Sequence, residues 1–244
     1  MSAYKLTYKP FGERAILVEW PQIIDKAILK DIILFKEKIK ENNIESLVEL
    51  KSAYNSLLVV YDDFVKNYDL EIAYIDKIYH TDEITVKTDA VLWKIPVCYD
   101  PHFGMDLSLI SKEKGLTEDA IVQLHSDAIY TVFFTGFLPG FLYLGGLDEK
   151  IHVPRKSTPR LRIGKGSVAI GGSQTGVYPS DSPGGWNIIG NSPIDFFNVN
   201  KENPCFAKAG DGIVFCPISR QEHKDIKALV GAGVFQLKSE VING

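Results

Sequence analysis

Alternating apolar and polar positions organise the first third of the chain. Residues 4–8 and 15–20 read as strands on either side of the turn Pro10-Phe11-Gly12-Glu13. Ile24, Ala27, Ile28, Ile32, Phe35 and Ile39 then recur at helical spacing, with Lys26, Lys30, Lys36, Glu37 and Lys40 mostly elsewhere on the wheel. Residues 47–50 and 56–61 read as further strands, with Asn55 near the turn between them, and 64–79 as a second helix. The order β-β-α-β-β-α predicts a small sheet covered by helices on one face, ferredoxin-like in character.

Residues 80–90 are polar, rich in Thr and Asp, and without helical periodicity. They predict a linker or connecting strand, so that an N-terminal α/β domain over 1–85 precedes a second domain over 86–244. Beyond the linker the pattern changes. Residues 91–97 read as a strand, 101–104 as a loop, and 107–114 and 118–127 as short helices, the second with Thr117 as N-cap. From 129 onward short strands and turns dominate. Residues 205–207 and 213–215 read as strands around Ala209-Gly210-Asp211-Gly212, 219–229 as a late helix and 234–237 as a closing strand. Most of the 20 glycines lie between 136 and 212. Glycine at that density in strand-rich sequence marks bulges, corners and close backbone approach, and suggests a closed or nearly closed barrel. The expected class is α+β.

Charge and composition narrow the partners. A net charge of -4 gives no electrostatic reason to expect nucleic acid or an anionic membrane. No apolar run approaches the roughly 20 residues of a membrane span, and residues 1–10 lack a signal-peptide core, so the expected location is cytoplasmic. Cys98, Cys205 and Cys216 are few, odd in number and far apart, which predicts small buried hydrophobes rather than a disulfide framework. H-E-x-x-H, C-x-x-C and G-x-S-x-G are all missing, and the five histidines are scattered, so no metal site is expected. Gly164-Lys165-Gly166-Ser167 lacks the upstream glycine of a phosphate loop, Pro159 standing in its place.

Three blocks carry candidate chemistry. In Thr135-Gly136-Phe137-Leu138-Pro139-Gly140-Phe141, running on to Gly146, Phe137, Pro139 and Phe141 suit an aromatic-walled substrate pocket. Taken alone, the aromatics better suit a strand, a Pro-Gly turn and a strand that pack their rings into a core. In the second block, Pro154-Arg155 and Pro159-Arg160 fix the backbone twice and deliver guanidinium groups from stiffened chain. Such groups capture carboxylate or phosphate in a planar, bidentate manner. Lys156 and Arg162 fit a solvated loop as well. The third block runs from Gly171 to Pro179 and on through Ser182-Pro183-Gly184-Gly185-Trp186. Its glycine turns are candidates for a nest of N–H groups facing an anion. Gln174, Thr175, Tyr178 and Ser182 add neutral donors and acceptors, and Trp186 would plug a barrel end. His125, on the helix before the first block, is a further candidate acid or base.

Together these blocks resemble a known family, the B subunits of bacterial 5-oxoprolinase, also called the KipI or allophanate hydrolase subunit 1 family. The resemblance rests on Gly12-Glu13-Arg14-Ala15, on residues 56–62, and on Phe103-Gly104-Met105-Asp106-Leu107. It continues in Gly136-Phe137-Leu138-Pro139-Gly140-Phe141, Gln174-Thr175-Gly176-Val177-Tyr178-Pro179 and Ser182-Pro183-Gly184-Gly185-Trp186, and spans nearly the whole chain. It implies a cyclophilin-like β-barrel as the C-terminal domain. It also implies an assembly with A and C subunits that opens the lactam of 5-oxoproline to glutamate using ATP, with ATP bound at the level of the complex. Arg155, Arg160, Gln174 and His125 would then be catalytic, with Thr175 and the Gly184-Gly185 turn supplying further donors at a lactam or amide substrate. Related modules fused in urea amidolyases bind urea-type substrates. A third relative inhibits a histidine kinase, which gives the alternative of a regulatory binding protein. The sequence departs from the family pattern at Asn191, where an Arg-Thr pair is usual, and at Gly164-Lys165-Gly166.

Overall fold

The computed structural model describes residues 4–81 and 90–242. The chain divides into two compact units, Met1–Thr88 and Asp89–Gly244. The linker expected at 80–90 lies mostly outside the described residues.

The first unit contains β1 (Thr7–Pro10), β2 (Ala15–Glu19), α1 (Lys26–Glu41), β3 (Leu47–Ser52), β4 (Ser56–Tyr61) and α2 (Tyr68–Tyr79). Its four strands form one antiparallel sheet in the order β1-β2-β4-β3. Alternation decides which face is covered: Ile16 and Val18 of β2, with Leu57 and Val59 of β4, are buried with Ile32 and Phe35 of α1. Asp25 and Asn67 cap the two helices, each accepting from a first-turn amide. Asp31 ties the core together by accepting from Trp20 Nε1 at 2.7 Å and from the Tyr79 hydroxyl at 2.8 Å.

The second unit opens with β5 (Ala90–Val97), α3 (Leu107–Lys114) and α4 (Glu118–Asp127), then β6 (Tyr130–Thr135) and β7 (Leu142–Gly145). After a short 3-10 turn come β8 (Arg160–Ile163), β9 (Ser167–Gly171), β10 (Gln174–Val177), β11 (Ser182–Gly184) and β12 (Asn187–Asn191). β13 (Gly212–Pro217), α5 (Arg220–Gly231) and β14 (Ser239–Ile242) complete it. Eight strands pair in the order β12-β9-β10-β7-β6-β13-β5-β14. The two sides of that sheet meet again. Just beyond β5, Cys98 bridges Asn191 at the end of β12, and each donates its N–H to the other's carbonyl at 2.9 Å. The bridge closes seven strands into a ring, with β14 added along the outside of β5.

Alternation gives the ring two distinct faces. Leu142, Leu144, Val168, Ile170, Val177 and Ile189 point inward to the large core. Tyr143, Ala169 and Ile188, their neighbours in sequence, point outward to a second cluster with Phe141, Tyr178 and Trp186. β8 and β11 pair as a separate two-stranded sheet, and Ile163 of β8 joins that outer cluster.

Three sequence expectations are corrected. Residues 205–207 form no strand; Phe206 instead packs edge-on against Trp93 at 5.0 Å. Residues 234–237 form no strand either; Phe235 and Leu237 pack on the core, and the added strand is the exposed β14 farther on. The helix expected over 64–79 begins only at Tyr68, because Asn67 is extended and caps it.

Candidate functional site

The second and third sequence blocks run side by side over the outer face. Gly172 N–H donates to the Val153 carbonyl at 2.6 Å, Asn187 Nδ2 to that of Pro154 at 2.9 Å, and Lys156 N–H to that of Gly185 at 2.7 Å. Gly184 pairs with Arg160, and Ser182 with Ile163. The prolines stiffen one strand of this zipper and the glycines let the other approach. A Cβ on Gly184 would overlap the Tyr178 hydroxyl, and one on Gly171 would lie 2.5 Å from the Trp186 indole. Trp186 therefore lies flat against bare backbone, with Phe141 edge-on to it at 5.5 Å.

On this support three cations gather. The Arg155 guanidinium lies over the Trp186 ring, 5.5 Å from its centroid, and its Nη2 reaches Gln174 Oε1 at 3.4 Å. Lys156 Nζ and Arg160 Nη2 converge on one oxygen of Asp106, at 2.9 and 2.7 Å. Burial pushes the Tyr178 hydroxyl above its ordinary pKa; a hydrogen bond from the Trp186 backbone and the nearby charges of Arg155 and Arg160 oppose that rise. Both arginines therefore lie within electrostatic reach of one phenol.

Sequence reasoning did not single out Asp106. It is 4% exposed. Its second oxygen accepts from Ile188 N–H at 2.7 Å, and its own N–H donates to the Ile188 carbonyl at 2.9 Å. Burial alone would raise its pKa; the hydrogen bonds from Arg160, Lys156 and Ile188 outweigh it and hold the carboxyl below the usual range. One carboxylate facing two cations leaves a positive excess. Within that excess Arg160 Nη1 is buried and has no hydrogen-bond partner among the described residues. The available signal was its place in the Phe103–Leu107 motif, but no spacing rule links residue 106 to 156 and 160.

Other expectations fare differently. His125 is fully buried and does not reach this cluster. Its Nδ1 lies 2.7 Å from the Tyr99 hydroxyl and its Nε2 lies 2.8 Å from Thr175 Oγ1, while its ring stacks on Phe215 at 4.6 Å. Thr175 donates its own proton to the Ala169 carbonyl, so it accepts from Nε2–H, and Nδ1 accepts from Tyr99. Burial lowers the His125 pKa to about 3. The ring is neutral with both nitrogens engaged, which corrects the acid–base expectation. Thr175, bonded to it from the inner face, is likewise a core residue and not a substrate donor.

The nest expectation is also corrected. Gly172 (φ 70°) is the first central residue of the two-residue β9–β10 hairpin, and its N–H is taken by Val153. Neither Gly184 nor Gly185 has positive φ, and their backbone pairs with the Arg160 strand and Lys156. Ser182 is buried, with its hydroxyl turned to the Pro183 carbonyl at 3.2 Å. Phe141, Tyr178 and Trp186 form the supporting cluster. Pro139 is exposed, and Phe137 is 63% exposed with φ 64°. The Leu138 N–H to Gly136 carbonyl bond at 2.7 Å makes Phe137 the centre of a γ-turn that holds its ring outward, edge-on to Phe141. Asn191, where the family pattern has Arg-Thr, serves the ring closure; its side chain bonds His223 Nε2 and the Lys165 carbonyl.

Residues 6–207 match the family model for the carboxyltransferase domain, subdomain C and D. The chain belongs to that family. It is 34% identical to the B subunit of 5-oxoprolinase from Haemophilus influenzae over 206 residues, covering 84% of this chain and 95% of that protein. It is 31% identical to the B subunit of 5-oxoprolinase from Bacillus subtilis over 233 residues, covering 88% of this chain and 94% of that protein. The crystal structure of the Kluyveromyces lactis urea amidolyase matches 98% of this chain and 16% of its own length, with a TM-score of 0.81 at 20% identity. That likeness concerns the fold, a mixed α/β architecture with more sheet than helix. Among the described residues, no helix is long and apolar enough to cross a membrane.

Proposed function

We propose that this chain is the B subunit of an ATP-dependent 5-oxoprolinase and completes, with A and C subunits, a site that opens 5-oxo-L-proline to L-glutamate. The near-full-length similarity to two bacterial B subunits supports the assignment. The observation that carries it to chemistry is the cation cluster of Arg155, Lys156 and Arg160, with one buried guanidinium nitrogen unpaired.

A lactam is a stable amide, so its oxygen is first made a leaving group. The lactam oxygen takes the γ-phosphoryl group of ATP and ADP departs. Water then adds at the carbonyl carbon, and the C–N bond breaks with a proton passing to nitrogen. A second water hydrolyses the acyl phosphate that results. Negative charge accumulates on the phosphoryl oxygens and on the substrate carboxylate throughout, and fixed cations in a partly dry site stabilise it. Arg155 and Arg160 are the groups assigned to that charge. Gln174 orients Arg155, and Phe137 and Pro139 border the substrate. The chain carries no glycine-rich phosphate loop, so ATP itself is assigned to the assembled complex. Domains over 1–85 and 86–244 accompany this reading, in the cytoplasm. The strand order β1-β2-β4-β3 supports a ferredoxin-like reading of the first unit, as a β-α-β-β-α-β fold with its last strand moved to the front. The closed ring of the second agrees with a cyclophilin-like barrel.

The test is reconstitution with A- and C-type partners, following glutamate and ADP together. The expected result is 5-oxoproline-dependent ATP hydrolysis that falls about 100-fold in Arg155→Ala, the scale of losing one charge-stabilising donor. Full activity in that variant would remove Arg155 from the site. Tight binding to a sensor histidine kinase, with no response to 5-oxoproline, would replace the enzyme reading with the regulatory one.

A further inference from the structure

We propose that Asp106 is the positioning residue of this site, acting through Arg160 and Lys156. The role rests on the 5-oxoprolinase reading for its reaction, but its geometry stands alone. Ile188 turns both its N–H and its carbonyl away from β9, toward the open edge of β12, and Asp106 takes both. The carboxylate thus serves in place of a neighbouring strand, close to the Cys98–Asn191 seam. Its register on the ring is set by backbone and cannot drift with solvent.

The other carboxylate oxygen exports that rigidity. It holds Arg160 Nη2 at 2.7 Å and Lys156 Nζ at 2.9 Å, from a position that is itself buried. Long cationic side chains otherwise lose rotamer freedom when a ligand fixes them. Here both are fixed before any ligand arrives. Arg160 gives Nη2 to the carboxylate, while its Nη1 is buried and has no partner among the described residues. The ligand chemistry is a small carboxylate or a phosphoryl group, either of which accepts from a guanidinium edge.

A purely structural role for Asp106 and a positioning role differ in what Asp106→Asn does. The amide oxygen can still accept from Ile188 N–H and keep the seam, while the amide N–H₂ meets two cations and releases them. In the full chain, Lys156 should then react with an amine-acylating reagent roughly fivefold faster, the factor that a partly exposed ion pair contributes. Peptide mass spectrometry reads this, with Lys224 on α5 as an internal control. In the complex with A and C partners, Asp106→Asn should lower kcat about 100-fold, the scale of misplacing a reacting group by about an ångström. In an Arg160→Ala background the same change should cost no more than about threefold, because the two act as one unit.

Unchanged Lys156 labelling overturns the proposal, as do losses in kcat that multiply fully in the double variant. Faster labelling with a non-additive cycle upholds it. If no complex shows 5-oxoproline-dependent turnover, the functional reading fails, and the labelling alone decides whether Asp106 holds the cations.

Discussion

The inner and outer faces of β7, β10, β9 and β12 use the same few strands for opposite purposes. On the inside, polar groups are neutral and their hydrogen bonds lead to one another: Tyr99 to His125, His125 to Thr175, Thr175 to Ala169. On the outside, charged groups join the neutral ones and their bonding is unbalanced: Asp106 faces two cations, and Arg160 Nη1 has no partner among the described residues. Satisfied neutral networks fix a core; an unbalanced charged one stores binding capacity. Adjacent residues, Gln174 outside and Thr175 inside, belong to the two different regimes.

The contrast can be broken most forcefully from within. His125→Ala removes a fully buried ring and strands the Tyr99 hydroxyl, so unfolding free energy should drop by about 3–5 kcal/mol in urea titrations. A result near zero would mean that the inner network does not hold the ring. The second lever is pH. His125 is neutral in the folded state with a pKa near 3, against about 6.5 when unfolded. Above pH 6.5 both states are neutral and the group contributes no pH slope. Below it the unfolded chain binds the proton first, so stability falls as pH drops from 6.5 towards 3 and levels off beneath. Replacing His125 by Gln should flatten that part of the curve. Smaller again is Gly171→Ala, whose new methyl meets the Trp186 indole; overpacking predicts about 1–3 kcal/mol and a displaced Arg155. The smallest effect should come from Leu161→Ser. Leu161 is 92% exposed on β8, and its loss should stay within about 0.5 kcal/mol by thermal melting. A larger loss there would mean that β8 packs more tightly than its exposure indicates.

What the sequence made legible follows from the range of the interactions involved. Helices α3 and α4 were readable to the residue, because caps and i, i+4 spacing are local; Thr117 caps α4 as its position suggests. The apolar runs at 205–207 and 234–237 were misread because hydrophobicity reports burial, not pairing, and both segments pack without a ladder. At the site, Arg155 and Arg160 stood out through their prolines, and Trp186 through its glycines. Asp106 did not. Its meaning depends on partners at 156, 160 and 188, brought together by the ring, and no periodicity encodes that. His125 shows the reverse error: a titratable side chain drew attention, although desolvation keeps it from titrating near neutral pH.

The Cys98–Asn191 bridge has a consequence for how the second unit comes into being. The strand that starts this unit cannot find its ring partner until the chain has passed residue 191, nor its parallel partner β13 until residue 217. A ribosome would therefore hold an open, curling sheet for most of the synthesis of this unit, with one long edge unpaired. Closure joins segments that lie far apart in the chain. The amides of Cys98 and Asn191 should accordingly be among the last to gain protection from hydrogen exchange during refolding.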